Sequence, residues 1–158
     1  MVSTYKDPVL VIIELTGAND YLNTIVPYND PLYWDNRPKV HISQDELLLI
    51  DDNVAFRSDI EPLRDIYEKG NMAIIHGIGF ENSPRSHFRA MDIWHTCEPD
   101  SIGVNGWLGQ VIQDLDPHGE NVLKGVSLGQ GLPRAMTKRG VPVTSVNHLP
   151  TYGVLSSN

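Results

Sequence analysis

Two short apolar runs, each closed by glycine, constrain this chain more than any other feature. Pro8-Val9-Leu10-Val11-Ile12-Ile13-Glu14-Leu15 is β-branched and almost continuous, and Thr16-Gly17 ends it. Met72-Ala73-Ile74-Ile75-His76 repeats the pattern and stops at Gly77-Ile78-Gly79. Apolar runs without alternation predict strands covered on both faces, as in a parallel sheet. Parallel neighbours require a crossover, and a helix is predicted between the runs. It starts near Ser58 or at Pro62, where proline suits a first turn, and Gly70 is placed to end it. Leu63, Ile66 and Tyr67 form its apolar stripe. The expected class is α/β.

From Gly17 to about residue 57 the chain reads mostly as loop, broken by clusters at Pro27 to Pro31 and Asp35 to Pro38. An excursion of that length is often functional. Residues 43–65 carry seven acids against Arg57 and Arg64, the pattern of a solvated face. Beyond the second run, Ser86 to about Thr96 reads as a helix. Asn105 is the expected cap of a third helix, with Trp107, Leu108, Val111, Ile112 and Leu115 on one face. Val122 to Leu128 reads as a third strand, and past Gly129 glycine and proline punctuate the chain.

The 158 residues suit one domain, and 41% hydrophobic with 20% charged residues argues against disorder. No apolar run approaches the ~18–20 residues of a membrane span. The start lacks a basic stretch and a small-residue cleavage pattern, so as given the chain reads as cytoplasmic. A single cysteine, Cys97, excludes an internal disulfide framework and a CxxC site. The net charge of −8 is unevenly spread. Residues 1–120 hold all 20 acidic residues and sum to −12, whereas residues 121–158 hold Lys124, Arg134, Lys138 and Arg139 and no acid, summing to +4. That acid-free end could bind an anion, or its acidic partners could lie outside this chain. An acidic body with no basic stripe argues against nucleic-acid binding.

Open parallel sheets bind ligands beyond the carboxyl ends of their strands. Here that points to Gly17-Ala18-Asn19-Asp20 and to the Gly77 to His87 loop. Asp20, behind a glycine turn, suits a divalent cation or simply a turn. Ser86 falls where a helix begins, so it is either an ordinary cap or a hydroxyl beside free N–H groups that favour an anion. Arg85 and Arg89 flank it and could pair with that anion. His87 and His95 share a helix face but are ~12 Å apart along it, too far for one metal. Asp92 and His95 could pair locally. His76 is either a site residue or a hydrogen-bonded core histidine. Gly77-Ile78-Gly79 and Gly129-Gln130-Gly131 lack the full phosphate-loop spacing.

Gly17-Ala18-Asn19-Asp20 and Asp92-Ile93-Trp94-His95 also match the GxND and DxxH blocks of the SGNH esterases. The Gly-Asp-Ser nucleophile turn of those enzymes is absent, and DxxH comes well before the end of the chain.

Three segments in order carry a broader likeness: VLVIIELTGANDYLNTIVPYNDPLYWDNRP, LRDIYEKGNMAIIHGIGFENSPRSHFRAMDIWHT and GWLGQVIQDLD. Together they resemble the domain-of-unknown-function 1501 family, a branch of the alkaline phosphatase and sulfatase superfamily. The resemblance implies a partial α/β/α sandwich with a mostly parallel sheet, in one incomplete domain spanning 1–158. It implies divalent metals (Zn, Mn or Mg) and a small phosphate or sulfate ester as substrate. Asp20 matches the metal-binding aspartate after the first strand. Ser86 matches the nucleophile, which also contacts metal. Asn19 and Asn23 would orient the carboxylate or an oxyanion, and Arg85, His87 and Arg89 would face the substrate anion. The sequence departs from the family at Ala18 and Tyr21, where glycines are usual. Members are about twice as long, with further Asp and His ligands in the second half, and are often exported through a twin-arginine signal. The resemblance therefore implies that these residues are the N-terminal part of a longer protein whose missing segment completes the site. A non-catalytic binding or assembly module with a degenerate site is the alternative.

Overall fold

The computed structural model describes residues 8–17 and 19–147. The chain divides into two compact units, Met1–Gly77 and Ile78–Asn158. Helices and two small sheets make it mixed α/β, and no helix among the described residues is long and apolar enough to cross a membrane.

The first unit is built on a three-stranded antiparallel sheet. Strand β1 (Ile25–Val26) and strand β2 (Leu47–Leu49) flank β3 (Ala55–Arg57), which places Phe56 opposite both Ile25 and Leu48. Helix α1 (Pro31–Asn36) begins where Asp30 accepts a hydrogen bond from Leu32 N at 2.9 Å and Pro31 fixes the first helical φ. Val26, Tyr33 and Ile42 form one core cluster with Leu22, Tyr28, Trp34 and Leu47 packed on it, and Ala55 and Phe56 of β3 are fully buried. The buried Tyr33 hydroxyl is fully used: it donates to Asn23 Oδ1 at 2.8 Å and accepts from Ile42 N at 2.8 Å. Helix α2 (Glu61–Glu68) follows a 3-10 turn at Ser58–Ile60 and ends at Gly70, whose φ of +71° suits glycine. Its Tyr67 ring meets Phe56 edge-on at 6.0 Å, while Leu63 and Ile66 stay exposed.

Residues 17–57, expected to be mostly loop, therefore hold the first sheet and a helix. Strands of two and three residues are too short for a periodicity to register. The two apolar runs depart from expectation in the opposite sense. Neither residues 8–15 nor residues 72–76 form strands, and Val9 and Ile13 are 85% and 80% exposed. β-Branched residues favour an extended backbone, but a strand exists only when another backbone satisfies its N–H and C=O groups. No described segment pairs with either run.

The second unit packs α3 (His87–Thr96) and α4 (Trp107–Leu115) against a 3-10 turn at Arg134–Met136. Ile93, Thr96, Ile112, Ala135 and Met136 bury their side chains there, joined by Val146 of the sheet. Strand β4 (Val126–Leu128) pairs in parallel with β5 (Thr144–Val146). The expected strand over 122–128 is shortened because Asn121 folds its first residues into a turn, accepting Lys124 N on its carbonyl and Leu123 N on its side chain. Helix α4 is capped by Gly106 rather than the expected Asn105. A Cβ at Gly106 would strike the carbonyl oxygens of Arg134 and Ala135, and Gly106 N donates to Thr137 O at 2.7 Å. Close backbone approach decides this helix start, and side-chain capping does not.

Candidate functional site

The residues singled out after the first apolar run gather in a small polar knot. A 3-10 turn, Tyr21–Asn23, carries the chain away from Asp20 and turns Asn23 inward. Asn23 Oδ1 accepts from Tyr33, and its Nδ2 donates to Val40 O at 2.7 Å, so the amide braces the core. Thr24 Oγ1 lies 3.0 Å from Asn19 Oδ1 and 2.9 Å from the Asp20 carbonyl, sharing one hydroxyl proton between two acceptors. Both oxygens of Asp20 are held by Arg37, with Nη1 to Oδ2 at 2.5 Å and Nη2 to Oδ1 at 3.0 Å. The hydrogen bonds from that guanidinium pull the Asp20 carboxyl below the usual aspartate range, and Asp20 in turn raises Arg37.

As arranged, this donor set does not fit a divalent cation. A hard cation needs several anionic or carbonyl oxygens turned toward one point. Here the only carboxylate in the knot faces a cation already present, and no group of three His, Cys, Asp or Glu residues converges among the described residues. No local pattern marks Arg37 as the partner of Asp20, because 17 residues separate them. The available signal was scarcity: Arg37 and Lys39 are the only Lys or Arg residues between positions 8 and 56.

The second group lies at the start of α3. Ser86 Oγ caps the helix, accepting from Arg89 N at 3.3 Å. Arg85, Ser86 and His87 are exposed, and Phe88 beside them projects into solvent. Arg89 turns away from this cluster. Its Nη1 donates to Asp92 Oδ2 at 2.7 Å, and its Nη2 reaches the carbonyls of Glu98, Pro99 and Ser101. An anion at the helix start would have to compete with four intramolecular bonds for this guanidinium.

Asp92 is the hinge of that network. Its side chain is only 16% exposed and lies between Arg89 and Arg134. Arg134 Nε sits 2.8 Å from Asp92 Oδ1, as an ion pair without the alignment of a hydrogen bond. Arg134 also donates to the Gly103 carbonyl. One cation of the acid-free end thus finds its acidic partner within this chain, 42 positions earlier. His76 is exposed at the end of the second run, close enough for its positive form to help lower the Asp51 carboxyl. Backbone N–H groups of Asn53 and Val54 are the larger causes there.

Asp20 and Ser86 belong to different units. Comparison with protein-family models, with curated proteins and with solved structures returns no match for this chain.

Proposed function

We propose that this chain is the N-terminal part of a protein of the domain-of-unknown-function 1501 type, with an alkaline-phosphatase-like α/β/α fold that acts on phosphate or sulfate esters when complete. The observation that supports this reading is the setting of Ser86. Its hydroxyl is exposed at the first turn of a ten-residue helix, between exposed Arg85 and His87. Free N–H groups and the positive helix end favour negative charge at that point. Ser86 Oγ would bond to phosphorus or sulfur while the ester oxygen leaves as the alcohol, carrying the hydroxyl proton. The resemblance calls for Zn, Mn or Mg, but the Asp20 donor set as arranged does not fit one, so no step is drawn through a metal. The remaining ligands would come from chain beyond residue 158.

The test is hydrolysis of an aryl phosphate and an aryl sulfate by the full-length protein with each metal added. Ser86→Asn keeps a cap acceptor but removes the hydroxyl, and it is expected to abolish turnover. Turnover at the wild-type level would remove Ser86 from the nucleophile role. The 158-residue chain alone is expected to be inactive.

A second reading, a non-catalytic binding or assembly module, is supported by the Asp20–Arg37 pair and by the exposed apolar run at 9–15. Stoichiometric metal in the purified full-length protein would count against it.

A further inference from the structure

The acid-free end of the sequence frames a cavity in the second unit that none of the site residues above touches. It measures about 240 Å³ and lies beside the 3-10 turn at Arg134–Met136. Leu132, Met136, Val141 and Val143 line it with hydrocarbon, and Lys138 and Arg139 supply two cations. No carboxylate is among the lining residues. Arg134 is tied to Asp92, but the side chains of Lys138 and Arg139 have no partner among the described residues. The half-buried Asn105, also in the lining, adds an amide with no side-chain bond among the described residues.

Apolar walls and free cations select different parts of a ligand. A cavity of about 150 Å³ takes up benzene, so this one has room for a chain or ring of roughly six carbons. A guanidinium and an ammonium lining one cleft match a carboxylate, and hydrocarbon beside them strengthens that attraction relative to water. A bare inorganic anion would leave the hydrocarbon uncovered, and a neutral molecule would leave the cations unpaired. We propose that this cleft binds a small amphipathic monocarboxylate, with its carbon body against Leu132, Met136, Val141 and Val143 and its carboxylate on Lys138 and Arg139. This goes beyond the ester-hydrolase reading and stands whether or not that reading holds.

The experiment is titration calorimetry on the purified chain with hexanoate, 1-hexanol and inorganic phosphate. Hexanoate is expected to saturate one site, with 1-hexanol and phosphate each at least tenfold weaker. The double variant Lys138→Gln/Arg139→Gln is expected to weaken hexanoate at least tenfold and leave 1-hexanol unchanged. Leu132→Glu, at an exposed wall position, sets a like charge against the ligand and is expected to abolish hexanoate binding. It decides the matter if the double variant fails to fold. The proposal is overturned by hexanoate binding no tighter than either comparator, by no binding at all, or by full hexanoate affinity in a folded variant.

Discussion

Arg37 meets Asp20 in a two-point ion pair, at 2.5 and 3.0 Å, across 17 residues of chain. The pair closes the loop that a metal-binding aspartate would otherwise leave open. It is also partly in water, since the Asp20 side chain is 46% exposed, so its consequence is better read as a titration than as a stability figure. In Arg37→Gln, the Asp20 carboxyl is expected to titrate higher, nearer the ordinary value of about 3.9. Carbon-detected NMR of the carboxyl resonances measures this directly. The sign for stability follows from the lowered folded-state value. The pair's contribution is complete above the unfolded aspartate value and disappears as pH falls through the folded one. Wild type and Arg37→Gln should therefore differ most near neutrality and converge in acid.

Asp92 is expected to be the most sensitive charged position in the second unit. Asp92→Ala leaves two guanidinium groups facing each other without their carboxylate. A buried pair broken on one side costs ~3–5 kcal/mol, and the partial exposure here brings the expectation to about 2–3 kcal/mol. Urea unfolding of the two proteins checks it, and a loss below about 0.5 kcal/mol would contradict the network.

Two glycines separate close approach from open space. Gly106→Ala puts a methyl group onto the carbonyls of Arg134 and Ala135, and overpacking of this kind costs ~1–3 kcal/mol. Gly79→Ala meets nothing within 4 Å and is expected to be neutral or slightly stabilising, by reducing the freedom of the unfolded chain. Equal melting shifts for the two variants would refute the contact.

The first apolar run is expected to govern association. Val11→Lys/Ile13→Lys replaces two side chains that are mostly in solvent, so unfolding free energy should change by no more than about 0.5 kcal/mol per site. An exposed β-branched segment is also a template for pairing with another chain. Light scattering of the charged variant should accordingly show less self-association than wild type. A large loss of stability instead would mean that the run is packed.

Local signals in the sequence were read well where one residue decides them. Ser86 marks the start of α3 and Gly70 ends α2, whereas the Pro27 to Pro31 cluster, expected only to break the chain, opens α1 at Asp30-Pro31. Each is a choice made by a cap or a backbone angle within a few residues. The α4 start, read one residue early at Asn105, shows the limit: the turn at Arg134–Met136 claims the space where any side chain on residue 106 would go.

What the sequence determined by itself was the mixed α/β class, the limits of α3, the close of α2 and the charge asymmetry that leaves residues 121–158 without an acid. Tertiary structure alone decided which apolar runs became strands, because a strand needs a second backbone and β-branched composition cannot supply one. It also decided the fate of the candidate site. Asp20 and Asn23 carry the donors and acceptors that ligand binding would use, and Arg37 and Tyr33 reach them from 17 and 10 positions away. Long-range partners of that kind are assigned by how the units fold, and residue type along the chain does not record them.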